Sequence, residues 1–192
     1  LALDLAALVG DAVPAFGGLI ADPSEALLAF IDERLAGLLR EQGYSAQEVD
    51  AVLALRPVLG DVPRRLAAVR SFAALPEAPS LAAANKRVGN ILKKVEGELP
   101  TEVRDSLLAE SAERALFDAI NDVQPRSTAL FDSGDYTGSL RELAALRTPV
   151  DAFCDGVMVN ADDPALRANR LALLGRLHAA MNRVADLSRL AA

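Results

Sequence analysis

All three lysines of this 192-residue chain, Lys86, Lys93 and Lys94, fall within nine consecutive positions, with Arg87 and Asn90 among them and no acid from 80 to 95. Ammonium and guanidinium groups at that density hold phosphate oxygens, and a side-chain amide between them can meet a base edge or a ribose hydroxyl. These residue types and spacings point to anion binding rather than to bond making. Other reactive side chains are sparse. One cysteine, Cys154, and one histidine, His178, leave no internal disulfide and no zinc-ligand spacing. A nucleophilic thiolate would need those two to meet by an accident of packing. Asp162-Asp163 ahead of Pro164 reads as a helix cap with negative charge at a helix N-terminus, not as a metal site. Asp132-Ser133-Gly134-Asp135 is a turn rather than a nucleotide cradle, and no glycine-rich loop ending in Lys-Ser or Lys-Thr occurs.

A helix must carry the basic cluster. Leu81, Ala84, Val88, Ile91, Leu92 and Val95 recur at three- and four-residue steps, which at about 3.6 residues per turn gives one apolar stripe. Lys86, Asn90 and Lys93 then sit nearly opposite the stripe, and Arg87 and Lys94 run along one flank. The alternative is an ordinary solvated helix face. Gly89 permits a close approach to this helix, either by a ligand or by a packed neighbour. The segment 96–113 that follows carries six acids and one base, and could pair with the cations or steer an approaching polyanion.

The composition fits an ordered all-α protein. Hydrophobic residues make up 52%, charged residues 24% and aromatic residues only 4%, so the core is expected to be aliphatic and helical. A net charge of −7 argues against indiscriminate binding to nucleic acid, DNA included, because that needs many cations. Residues 1–78 hold 11 acids and 6 bases and residues 79–192 hold 16 and 14, which makes the second part the better place for an RNA surface. With a lone cysteine, no basic leader and no apolar run of membrane-spanning length, the expectation is a cytoplasmic piece of a longer polypeptide, away from membranes.

Turn and cap signals divide the chain into helices. A short helix is predicted before Gly17-Gly18. Asp22-Pro23-Ser24-Glu25 then opens a helix with Leu27, Leu28, Ile31, Leu35, Leu38 and Leu39 inward, ended by Gly43. Ser45 and Glu48 form a capping box, and Asp61-Val62-Pro63 starts a helix burying Leu66, Val69 and Phe72. Pro76 and Pro79 bracket a break, which places a boundary between a helical segment 1–78 and a helical domain 79–192. Beyond the basic helix, a helix is expected from Pro100 to Val123, a break at Gln124-Pro125, and a helix capped by Asp135. Another opens at Thr148-Pro149, and the longest runs over 164–190. In that last helix Arg170 falls in the middle of the apolar stripe and must be paired; Asp151, Asp155 and Asp186 are the candidate partners. Arg167 lies at the stripe's edge in the first turn.

The segments Asn85-Lys86-Arg87-Val88-Gly89-Asn90-Ile91-Leu92, Pro149-Val150-Asp151-Ala152-Phe153, Val157-Met158-Val159-Asn160 and Leu166-Arg167-Ala168-Asn169-Arg170-Leu171, closing with Val184-Ala185-Asp186-Leu187-Ser188, resemble in order the C-terminal region of the β subunit of bacterial glycyl-tRNA synthetases. The resemblance extends over essentially the whole chain. It implies for the second part an all-helical anticodon-binding domain of the arginyl-tRNA synthetase type, whose Asp-Ala-Leu-Arg signature stands here as Asp163-Pro164-Ala165-Leu166-Arg167, with Pro164 inserted after the capping acid. It further implies a tetramer of two α and two β subunits that joins glycine to its tRNA using ATP and Mg, with the reaction on the α subunit and no cofactor on this chain. The partners are then glycine tRNA and the α subunit. Lys86, Lys93 and Lys94 are expected to hold phosphates, Arg87 and Asn90 to meet bases or ribose, and Arg167 to assist. The rival reading is an assembly module, with helices of 1–78 docked on the rest of the β subunit or on α, the basic helix facing an acidic protein surface, and no RNA contact.

Overall fold

A computed structural model describes residues 4–191; residues 1–3, where the first apolar stretch begins, lie outside the described residues. Its helices are α1 (Leu5–Ala12), α2 (Ser24–Glu41), α3 (Ala46–Leu53), α4 (Val62–Ala73), α5 (Ala78–Leu92), α6 (Ser111–Asp132), α7 (Tyr136–Leu143), α8 (Arg147–Gly156) and α9 (Pro164–Met181). The architecture is all-α, with no strand among the described residues. No helix of the described residues is long and apolar enough to cross a membrane.

Local signals set most of the helix starts. The Ser45 hydroxyl accepts from Glu48 N while the Glu48 carboxylate accepts from Ser45 N at 2.7 Å, so the capping box forms at α3. Asp135 caps α7 and Asp163 caps α9, the latter accepting from Ala165 N at 2.7 Å; the inserted Pro164 takes the first helical position, where no backbone donor is missed. At α2 the register differs by one residue from the expected cap, because Pro23 stands in the capping position and Asp22 accepts from Ser24 N. The inward stripe of α2 is also thinner than its sequence suggests: Leu39 is buried, but Leu27 and Leu38 are 39% and 50% exposed.

Tertiary contacts override local signals at three places. α6 runs unbroken through Pro125, where the sequence predicts a break. Proline there costs one backbone donor. The flanking positions Val123 and Ser127 are buried, and Ser127 Oγ donates to Ser139 O at 3.1 Å, so packing against α7 holds the helix together. The helix expected from Pro100 begins only at Ser111. Before it the backbone is irregular except for one tight turn at Asp105–Leu107. It is fastened by the buried Asn169, whose amide accepts from Arg104 N at 2.7 Å and donates to Arg104 O at 3.2 Å. Finally, α9 stops at Met181 rather than near Leu190. The Asn182 side chain donates to His178 O at 2.7 Å and accepts from Leu187 N at 3.1 Å, drawing the backbone out of the helix. The tail then forms a short 3₁₀ turn at Leu187–Leu190, and α6 is the longest helix of the described residues.

α9 is the helix the others surround. Asn169 through Leu174 are all buried, so its middle is covered on every side and a one-stripe reading does not describe it. The core is continuous from Leu39 to Leu187 and includes Val69 and Phe72 of α4 together with Leu140 of α7 and Leu177 of α9. A backbone bond from Asp186 N to Ala51 O at 2.8 Å fastens the C-terminal turn to α3.

Arg170 is paired, but not with Asp151, Asp155 or Asp186. Its Nε meets Glu113 at 2.6 Å, one Nη meets Glu110 at 2.8 Å and the other donates to Met158 O at 2.7 Å. Asp186 is engaged by Ser188 and Arg189, and Asp151 by Ser80. The Glu113 side chain is almost fully buried and Glu110 is 43% exposed. Removing a buried partner strands a charge, whereas an exposed one is replaced by water. Glu113→Ala should therefore lower the unfolding free energy in urea by about 3–5 kcal/mol and Glu110→Ala by about 1 kcal/mol or less; equal losses would contradict this account.

Candidate nucleic-acid interface

α5 is positioned by its apolar face and by one buried amide pair. Leu81, Ala82 and Val88 are essentially inaccessible to solvent, and Asn85, wholly buried, exchanges two hydrogen bonds with Asn182 at 2.8 and 3.0 Å. A satisfied amide pair between two elements fixes their register, because a slip leaves the buried Asn85 amide unpaired. At Gly89 the helix passes so close to α9 that a Cβ would lie 3.2 Å from His178 Nε2. The neighbour that this glycine admits is therefore a packed imidazole.

The opposite face is cationic and free. Lys86, Arg87 and Asn90 of α5 are all exposed, as are Lys93 and Lys94, which lie in the turn after Leu92 because the helix ends there rather than reaching Val95. Every ion pair among the described residues uses an arginine, so none of the three lysines meets a carboxylate there. The acids of 96–113 that do pair choose other partners: Asp105 holds Arg114, and Glu110 and Glu113 hold Arg170.

The six residues singled out from the sequence divide between the two flanks of α5. Lys86, Asn90 and Lys93 line a cleft of about 590 Å³ that is closed on its other sides by α3, the end of α9 and the C-terminal turn. Lys94 and Arg167, distant in sequence, come together along a second cleft of about 470 Å³ that also includes Glu96 and Asn160. Arg167 is steadied by its Nε donating to Ala161 O at 3.0 Å. Arg87, on the Lys94 flank of α5, lines neither cleft; it lies against α8 and is partly committed, donating to Cys154 O at 3.1 Å. The Cys154 thiol is pushed up from its ordinary pKa by burial. Among the described residues no three His, Cys, Asp or Glu side chains converge as metal ligands.

Sequence reasoning passed over Gln47, His178 and Arg189, which line the first cleft. The one signal for His178 was Gly89, a glycine between two lysines on an otherwise regular helix, and it did not name the neighbour. Burial holds the His178 imidazole below its usual 6.5; Asp186 pulls the other way and Lys93 adds to the depression.

The fold and this site define an all-α module with a strip of unpaired cations beside two polar clefts. Residues 81–187 match the model of the DALR anticodon binding domain, and the chain belongs to that family. The chain is 67% identical to the glycine–tRNA ligase beta subunit of Leptothrix cholodnii, 66% to that of Polaromonas naphthalenivorans and 62% to that of Thiobacillus denitrificans, in each case over 100% of its own length. It spans 27% of the length of the first two relatives and 28% of the third.

The lowered pKa of His178 sets a sign for pH dependence. The unfolded chain takes up a proton near pH 6.5 and the folded chain only below that, so stability falls as pH drops from 6.5 through the folded pKa. Urea midpoints should decline between about pH 7 and 5.5, and His178→Gln should flatten that decline. Glu48, held down by its hydrogen bond to Arg70, titrates below this window.

Proposed function

We propose that this chain is the part of a glycine–tRNA ligase β subunit that holds the anticodon arm of glycine tRNA. The observation that carries the reading is the free state of the lysines: all three ammonium groups, one on α5 and two in the turn that ends it, stand in solvent within the family-matched span and make no ion pair with a described carboxylate. An unpaired loop of RNA offers phosphates on its outside and base edges once unstacked, and cations on a rigid helix meet the first while amides meet the second. Lys86 and Lys93 hold phosphates on one flank of α5 and Asn90 between them meets a base or ribose. Lys94 and Arg167 hold the strand on the other flank. Arg87 contributes the guanidinium edge left over from its bond to Cys154 O.

The relatives' name supports placing the chain in a glycine–tRNA ligase, and their greater length supports placing the bond-making step outside it. In that assembly ATP and Mg serve the joining of glycine to tRNA on the α subunit, two α and two β subunits make the tetramer, and the location is the cytoplasm. Residues 79–192 form the RNA-holding domain and 1–78 the helical segment that precedes it. An assembly module, with the basic helix on an acidic protein surface and no RNA contact, is the weaker reading, because residues 81–187 match an anticodon binding domain.

Titration of the chain with a glycine anticodon stem-loop at two salt concentrations tests this. Lys86→Glu combined with Lys93→Glu, with an unchanged circular dichroism spectrum, should weaken binding by at least about tenfold and reduce the slope of log affinity against log salt by about 1.5, since each lost phosphate contact removes roughly 0.7 to 0.9. Binding unaltered by this reversal would overturn the reading.

A further inference from the structure

The cleft on the Lys86 flank of α5 has a composition that the lysines alone do not explain. Its volume of about 590 Å³ falls within the roughly 300–1,000 Å³ of pockets that enclose an organic group. Two carboxylates line it, and both are engaged: Asp50 holds Arg40 at 3.0 Å, while Asp186 accepts from Ser188 N and from Arg189 Nε, each at 3.1 Å. What remains for a ligand is mainly donors: the ammonium groups of Lys86 and Lys93, the amides of Gln47 and Asn90, and the outer nitrogens of Arg189. A ligand suited to them is anionic and rich in acceptors.

The cleft also contains one flat ring. His178 is half-buried against Gly89, and its ring nitrogens have no hydrogen-bond partner among the described residues. Unstacked RNA bases are commonly received on aromatic rings, histidine included. The chain's other rings lie outside both clefts, the half-exposed Phe16 among them. Tyr44 lies under Arg70, Tyr136 is packed on Phe131, and Phe117 lies under Arg176. Phe72 and Phe153 are buried, and Phe30 lies under Arg34. Neither cationic cleft is lined by a phenylalanine or tyrosine.

Part of the wall facing α5 is rigid and comes from outside the family-matched span. Gln47 stands exposed in the first turn of α3, the turn fixed by the Ser45–Glu48 capping box, and Glu48 is itself held by Arg70 at 2.9 Å. The bond from Asp186 N to Ala51 O locks α3 to the C-terminal turn that carries Arg189. Side chains on elements so fixed are set in place before any ligand arrives, which lowers the entropy lost on binding.

We infer that this cleft seats one splayed nucleotide of the bound RNA, with His178 as the stacking surface, Lys86 and Lys93 on the flanking phosphates, and Gln47 on the base edge. The site is thus composite: α3, from the segment ahead of the family-matched residues, takes part in RNA recognition. The inference rests on the reading that the chain binds an anticodon arm.

The test uses the glycine anticodon stem-loop and a set of variants with one loop nucleotide at a time made abasic. One abasic position should weaken binding to the unaltered chain by about five- to a hundredfold, the range of a lost base stack. His178→Ala should weaken binding to the intact RNA similarly, leave the salt slope unchanged and become indifferent to that abasic position. Gln47→Ala, at an exposed position that leaves the core untouched, should weaken binding less and lose part of the same sensitivity. If both variants bind as the unaltered chain does and keep the full abasic profile while the lysine reversal still weakens binding as expected, the nucleotide seat is wrong and the anticodon-arm reading stands. If His178→Ala fails to fold, the Gln47→Ala profile decides alone. Loss of RNA binding in neither the lysine reversal nor these variants would remove both.

Discussion

The arrangement of the second part of the chain depends on the guanidinium of Arg170. A charge in the middle of a helix covered on all sides must be met by fixed partners, since unpaired it costs several kcal/mol. Glu113 meets it from the first turn of α6, and Glu113 Oε2 also accepts from Glu110 N at 2.6 Å, so the start of α6 is tied to the charge it neutralises. The third bond, to Met158 O, holds the connection between α8 and α9. That connection contains Asp163, the cap of α9, and thereby sets where Arg167 leaves the helix. Replacing the network with apolar side chains would leave the core filled but would free three separate segments to shift against one another, which is where ionic groups in a core act on specificity rather than on stability.

Arginine and lysine serve different ends in this molecule. The arginines knit it together: Arg65 donates to Arg183 O and Val184 O and lies over Phe131 and Tyr136, Arg70 bridges Glu48 and Gly43 O above Tyr44, and Arg176 bonds Asn121 and Gln124 above Phe117. A planar fork with five donors can do this, stacking on a ring while bonding at its edge, and a lysine cannot. The ammonium group is a compact, strongly hydrated charge on a flexible stem, suited to following a phosphate as it arrives. Confining lysine to α5 and the turn that ends it separates most of the cations that build the fold from those that remain available.

Much of the fold was legible because its signals are local. The capping acids and hydroxyls at Ser45, Asp135 and Asp163 act within one turn, and the stripe of α5 is a matter of spacing alone. That Arg170 had to be paired also followed from its position, but its partners did not, because Glu113 is 57 residues away and only packing brings it near. The misreadings share that cause. Pro125 is tolerated because α7 holds α6 on both sides of it, the stretch before Ser111 stays irregular because Asn169 satisfies its backbone, and α9 ends where Asn182 finds a better use for its amide than the helix offers. The interface divides in the same way. The lysines were visible from composition, whereas His178 and Gln47 become neighbours of the lysines only through the approach of α9 and α3 to α5.

On the proposed reading, an acidic chain holding RNA by a few cations would separate affinity from specificity. At physiological salt a charge is felt over about 8 Å, so acids on distant faces neither cancel the field of the α5 strip nor attract counterions to it. They do act on any polyanion that approaches elsewhere: with a net charge of −7, most of the surface repels a nucleic-acid backbone. Productive approach is thereby limited to one strip and its two clefts, and non-specific affinity, which grows with the number of phosphates neutralised, stays low. A ligand must then gain its remaining affinity from groups that fit the clefts rather than from charge alone. That requirement favours a loop whose bases can be splayed over a regular duplex, which offers phosphates but keeps its bases stacked.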